Sequence, residues 1–95
     1  MSIDPHKVSS SIHRGQLDIV ADILNVSIDE VRKTHIMYRC NLSFKQLKRY
    51  LRFMMRKGLL HPVLEPKATD SGLFEITIKG KKFLKAYKDL KNLMK

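Results

Sequence analysis

The stretch from Thr34 to Gly58, THIMYRCNLSFKQLKRYLRFMMRKG, decides how the rest of the chain is read. A short apolar-periodic segment, Thr34 to Arg39, offers Ile36 and Met37 as inward anchors. A tight break follows at Cys40-Asn41-Leu42. Ser43 then opens a longer helical pattern, and Gln46 three positions on completes a capping box in which each residue satisfies the other's backbone amide. Leu47, Leu51, Met54 and Met55 line one side of this helix, with Phe44 at the N-terminal edge. Lys45, Arg49, Arg52 and Arg56 fall on the opposite side, flanked by Gln46, Tyr50 and Phe53. Gly58 is a natural terminator. With Lys48 and Lys57 the helix carries cations and no acid, and solvated helices usually mix signs for i,i+4 support. Two helices joined by a short turn, the second strongly basic, form the layout of a helix-turn-helix unit.

Working outward, residues 1–11 are polar and Ser-rich with a breaker at Asp4-Pro5, which suggests a loose arm. His13 to Val26 reads as a first helix with Leu17, Val20, Ala21 and Leu24 as its core stripe and Ile19 and Ile23 widening it. Ser27 to Lys33 is ambiguous: Ile28 and Val31 either begin the second helix or pad the connection. After Gly58, Leu59 to Leu64 is an apolar run broken by Pro62, the pattern of an edge strand. Glu65 to Gly72 reads as a hairpin loop. Leu73 to Ile78 alternates, with Phe74, Ile76 and Ile78 on one face. Thr77 is placed to cap a last helix, Lys79 to Lys95, in which Phe83, Tyr87, Leu90 and Met94 form a short seam at spacings of 4, 3 and 4. Three helices, a two-stranded hairpin and a further helix make a mainly α fold with a small β component (α+β): a winged helix-turn-helix with an added C-terminal helix.

Composition narrows the function. Ninety-five residues, 43% of them apolar, suffice for one small core. The net charge of +10 is uneven: residues 1–33 sum to −1 and residues 34–95 to +11. Such asymmetry points to a polyanion. No apolar run approaches the ~20 residues needed to span a bilayer, and no signal-peptide core is visible. The single cysteine excludes a disulfide framework, so a cytoplasmic, nucleoid-associated location is expected. Cys40 reads as a small buried turn residue, with a redox switch as the sharper alternative. His6, His13, His35 and His61 are scattered and form no metal pattern with Cys40 or a carboxylate; no cofactor, small-molecule ligand or catalytic constellation is expected.

The run THIMYRCNLSFKQLKRYLRFMMRKGLL, followed by an extended segment and FEITIKGKKFL, resembles archaeal winged-helix DNA-binding regulators, among them the small archaeal winged-helix chromatin proteins. The resemblance spans roughly Leu17 to Tyr87 and is most specific at Thr34-His35-Ile36-Met37-Tyr38, Asn41-Leu42-Ser43 and Thr77-Ile78-Lys79-Gly80. It implies a winged helix, double-stranded DNA as partner and dimerisation through the C-terminal helix. Chromatin-type members carry a long coiled-coil helix there, whereas this sequence leaves only residues 79–95 for it. The expected organisation is a flexible arm over 1–11, a winged-helix DNA-binding domain over 12–78 and a dimerisation helix over 79–95.

Candidate contacts follow from docking geometry. Lys45, Gln46, Lys48, Arg49, Arg52 and Phe53 lie where a recognition helix, residues 43–57, meets the major groove. Arg can grip guanine, and Gln adenine, bidentately. Thr34, His35, Arg39 and Ser43 border the second helix, within reach of phosphate. Lys67, Thr69 and Ser71 belong to the wing loop, which also holds Glu65 and Asp70. Ile19, Ile23, Phe83, Tyr87, Leu90 and Met94 are the candidate dimerisation residues; the last helix either folds back on its own domain or pairs with a twin. The basic flanks of that helix extend a phosphate footprint, touch an anionic membrane or simply solvate the seam; a membrane-surface helix wants a broader apolar face, so no membrane partner is expected. The expected function is a sequence-preferring, homodimeric DNA-binding protein, a transcription regulator or small chromatin protein. A rival is an interaction module whose basic face meets an acidic protein. RNA binding is a third reading, but the chain lacks aromatic pairs on a sheet.

Overall fold

In a computed structural model, residues 14–64 and 72–95 are described. The elements are α1 (Gln16–Val26), β1 (Val31–Arg32), α2 (Lys33–Arg39), α3 (Phe44–Arg56), β2 (Leu60–Val63), β3 (Leu73–Ile76) and α4 (Ile78–Leu93). The first helix starts at Gln16, later than its apolar period suggests. Gly15 is extended there, and its amide donates to Asp18 Oδ2 at 3.0 Å, closing the N-terminus.

Both ends of the helix-turn-helix turn on local chemistry. At the end of α2, Asn41 takes a left-handed φ of 55°. Its amide donates to the Tyr38 carbonyl at 3.3 Å and that of Leu42 to Met37 at 3.0 Å, the paired bonds of a Schellman motif. Asn tolerates that backbone better than most residues, and Leu42 is buried beneath it. The same motif ends α3: Gly58 at φ 72° donates to Met55, and Leu59 to Met54. At the start of α3 the capping box forms as the sequence predicts. Gln46 N donates to Ser43 Oγ at 3.1 Å, and Ser43 N donates to Gln46 Oε1 at 2.9 Å.

The sheet has three strands, ordered β1-β3-β2, all antiparallel. β2 is an edge strand, so Pro62 withholds no needed ladder bond. The expected two-stranded hairpin gains β1: Val31 pairs with Phe74 and Arg32 with Leu73. A strand this short has too few residues to show alternation, which is why Ser27 to Lys33 stayed ambiguous. Ile28 is exposed, so it pads the connection, whereas Val31 joins the sheet.

One core joins the layers. Ile23, Leu24, Ile36, Leu47, Met54 and Leu60 are enclosed, with Cys40, Leu51, Phe74, Ile76 and Leu84 around them. Several inward assignments are corrected here. Leu17 is 59% exposed because its position on α1 faces the open side of α3, while Ile19 takes a core place. Met55 and Phe44 are exposed, and Tyr50, expected on the flank, is buried with Leu47, Leu51 and Met54. Ile78 belongs to α4 and is exposed, since Thr77 ends the strand by capping the helix: Gly80 N donates to Thr77 Oγ1 at 2.9 Å.

The last helix folds back along α1. Tyr87 donates from its hydroxyl to Asp18, Lys91 Nζ lies 3.5 Å from the same carboxylate, and Lys88 Nζ reaches Asn25. At the other end, Lys79 Nζ donates to the Lys57 carbonyl at 2.7 Å, a cation on the negative terminus of α3. No described helix is long and apolar enough to cross a membrane.

Candidate nucleic-acid interface

The outward face of α3 is built by the four buried residues opposite it. With Leu47, Tyr50, Leu51 and Met54 anchored, helical geometry forces Lys45, Arg49, Arg52 and Arg56 outward within about 60° of arc. All four are exposed, as is Lys48 beside them. Among the described residues, none of these five makes an ion pair. Lys48 Nζ stands 5.6 Å from the Phe44 ring, and Lys57 Nζ 5.9 Å from that of Phe53. Phe53 is half-buried and forms part of a groove between α1 and α3, about 660 Å³ in volume, with Leu17, Val20 and Tyr50.

Other candidate residues divide. Thr34, His35 and Arg39 are exposed on α2, adjoining the stripe through the turn. Ser43 and Gln46 are exposed, but both side chains are occupied by the capping box. Gln46 Oε1 already accepts from Ser43 N, which leaves its second lone pair and the Nε2 donors for a base edge. Lys67, Thr69 and Ser71 lie outside the described residues. Two exposed side chains escaped the sequence-level selection. Arg56 continues the stripe from Lys45 by a further helical step, a signal present in the spacing. Tyr38 is 84% exposed and projects from α2 between Thr34 and His35, a position that its outward helical phase alone reveals.

The dimerisation candidates split as well. Ile19 and Ile23 are buried in the chain's own core, Ile23 completely, so neither offers a surface to a second helix. Their apolar surplus is absorbed by packing within the domain. Phe83 and Tyr87 are half-buried against that same core, whereas Leu90 and Met94 are exposed, as is Leu93. Tyr87 is held through Asp18, whose carboxylate the Tyr87 hydroxyl, the Gly15 amide and Lys91 keep below its usual range. Burial and that hydrogen bond push the Tyr87 phenol up to about 12. Cys40 sits 1% exposed beneath the turn, and burial pushes its thiol up to about 11, with Asp22 adding to the effect.

The chain that builds this capped helix-turn-helix, three-stranded sheet and returning helix matches a known family model, described as winged helix-turn-helix, over residues 13–95. The chain belongs to the winged helix-turn-helix family. Its fold is also that of a solved archaeal structure, the DNA-binding protein Sso10a-2 from Sulfolobus solfataricus. The two superpose with a TM-score of 0.72 at 23% identity, covering 85% of this chain and 82% of the other. Among curated proteins, no relative matches. Family membership accounts for the order of elements.

Proposed function

We propose that this winged helix-turn-helix protein binds double-stranded DNA by laying α3 in the major groove, and that it does no chemistry. One observation carries the reading: Lys45, Arg49, Arg52 and Arg56 form an exposed stripe on one helix that pairs with no acid among the described residues. The stripe runs about 16 Å along the axis, and the major groove, about 12 Å wide, admits such a helix. The cations supply phosphate affinity by releasing counterions, while Arg49 and Arg52 supply base reading. Thr34, His35 and Arg39 on α2, with Lys67, Thr69 and Ser71 of the wing, position the domain on the backbone. The shared fold with a protein described as DNA-binding supports the same assignment.

Sequence preference, a role as transcription regulator or small chromatin protein in the cytoplasmic nucleoid, and action as a homodimer complete the proposal. The dimer is assigned to the exposed end of α4, at Leu90 and Met94, with Phe83 and Tyr87 behind them. Anisotropy titration of a labelled duplex, with a random duplex beside it, tests the whole. Tight binding that weakens with salt is expected. Absence of binding at low salt removes the DNA assignment and leaves an acidic protein as the partner for the stripe.

A further inference from the structure

The groove between α1 and α3 adjoins the outward stripe, and Lys45, Arg49, Arg52 and Arg56 all line it. Its floor is apolar: Val20 and Tyr50 lie at the bottom, with Leu17 from α1 and Phe53 from α3 on the walls. Leu17 is 59% exposed, an uncommon place for a leucine on a helix whose other large aliphatic side chains up to Leu24 are buried. Along one rim stand Lys45, Arg49 and Arg56, without an acid among the lining residues. Apolar floor and cationic rim run together along α3, so the complement is an elongated shape with apolar residues down its centre and carboxylates at its edge.

We propose that this groove seats an amphipathic acidic helix of a partner protein, which thereby competes with DNA for the α3 stripe. Charge complementarity selects that occupant. A second copy of this chain carries a net charge of +10 and is repelled from a cationic rim. A small amphiphile offers one carboxylate at one end, whereas the cations from Lys45 to Arg56 run about 16 Å, the reach of three helical turns. The recognition mode is a helix laid in a groove, read by anchors at i, i+3 or i+4, and i+7. Because Arg49 and Arg56 serve both ligands, the two cannot be bound together. This competition rests on the DNA assignment; the seating of the helix does not.

The test uses the full chain and a designed peptide of about 14 residues, with leucines at i, i+4, i+7 and i+11 and glutamates flanking them. Its scrambled isomer and polyglutamate of equal length are controls. The amphipathic peptide is expected to bind at least about tenfold more tightly than either, the effect of burying one or two leucines. Leu17→Gln should abolish that difference while leaving duplex affinity unchanged, since Leu17 lies on α1 outside the stripe. Arg49→Ala should weaken peptide and duplex alike, and the peptide should displace the duplex from the wild type. Equal binding of the three peptides, or an unchanged advantage in Leu17→Gln, overturns the proposal. So does saturation of the groove by dodecanoate with no preference for the helical peptide. Peptide binding without duplex binding sinks the DNA assignment alone; duplex binding without the peptide preference sinks only the groove.

Discussion

Arg49 is the residue on which base reading is expected to turn. It stands near the middle of the exposed stripe, opposite Leu47 and Leu51, and pairs with no acid among the described residues. Arg49→Ala should lower affinity for a preferred duplex by roughly 1–3 kcal/mol and relax preference at one base pair. Equal losses on preferred and random duplexes would show that it touches phosphate only. Cys40 yields a prediction of another kind. Burial holds its thiol at a pKa of about 11 against an ordinary 9.0, so the folded chain keeps a proton that the unfolded chain releases. Its contribution is therefore complete below pH 9 and fades as pH rises toward 11, a loss of roughly 2–3 kcal/mol. Urea denaturation at pH 8 and pH 11 should show an excess loss in wild type over Cys40→Ala. An identical loss in both would remove Cys40 as its source. The same burial makes the thiol inert to iodoacetamide in the native state at pH 8, in keeping with a packing role.

At the scale of elements, α3 was almost wholly legible in the sequence, because its cap, its stripe and its terminator are local signals that agree. Ser43 and Gln46 announce the start, Gly58 the stop, and the apolar period the inward side. The errors lie where a neighbour decides. Leu17, expected inward, is exposed and Tyr50, expected on the flank, is buried, because how neighbouring helices pack is a tertiary fact that neither helix's own period contains. Ile78 kept the strand's alternation, but Thr77 began the helix first. Ser43→Ala, which strips the N-cap of α3, should cost about 1 kcal/mol in urea denaturation. Gly80 carries the larger effect. A Cβ there would fall inside the contact distance of the Leu59 carbonyl and 2.7 Å from Ile76 Cγ1, so α4 must back away from the sheet. Backbone cannot rotate aside as a flexible side chain does. Gly80→Ala is therefore expected to undock the start of α4 and destabilise the domain by roughly 1–3 kcal/mol, although alanine favours a helix. A thermal midpoint equal to wild type would mean that the seat tolerates a methyl group.

Over the whole molecule, charge and shape set the behaviour. If two protomers neutralise about 6–10 phosphates, log K should fall against log salt with a slope of roughly −5 to −9. A flat response would exclude a phosphate-dominated contact. Shape bears on why two protomers are expected. The radius of gyration is 14.9 Å and the long axis 56 Å, against about 12 Å for the radius of a compact domain of this size. Residues Lys88 to Lys95, the end of α4 and the two that follow it, are all exposed, although Lys88 and Lys91 still reach Asn25 and Asp18 of α1. Leu90, Leu93 and Met94 lie on that exposed end, 56%, 82% and 78% exposed. A helix end in water is marginal unless its apolar side is covered. Lys91 is drawn toward Asp18, leaving Lys88 and Lys95 as the cations flanking the end. Two such ends crossing antiparallel separate these lysines better than a parallel pair does. Tyr87 is committed to Asp18 within its own chain, so a variant there would confuse folding with association. Leu90→Glu/Met94→Glu alters only the exposed end. Sedimentation equilibrium at tens of micromolar should give a dimer for the wild type and a monomer for this variant, with the fold intact by circular dichroism. A monomeric wild type refutes the dimer, and a variant that stays dimeric places the interface away from the end of α4.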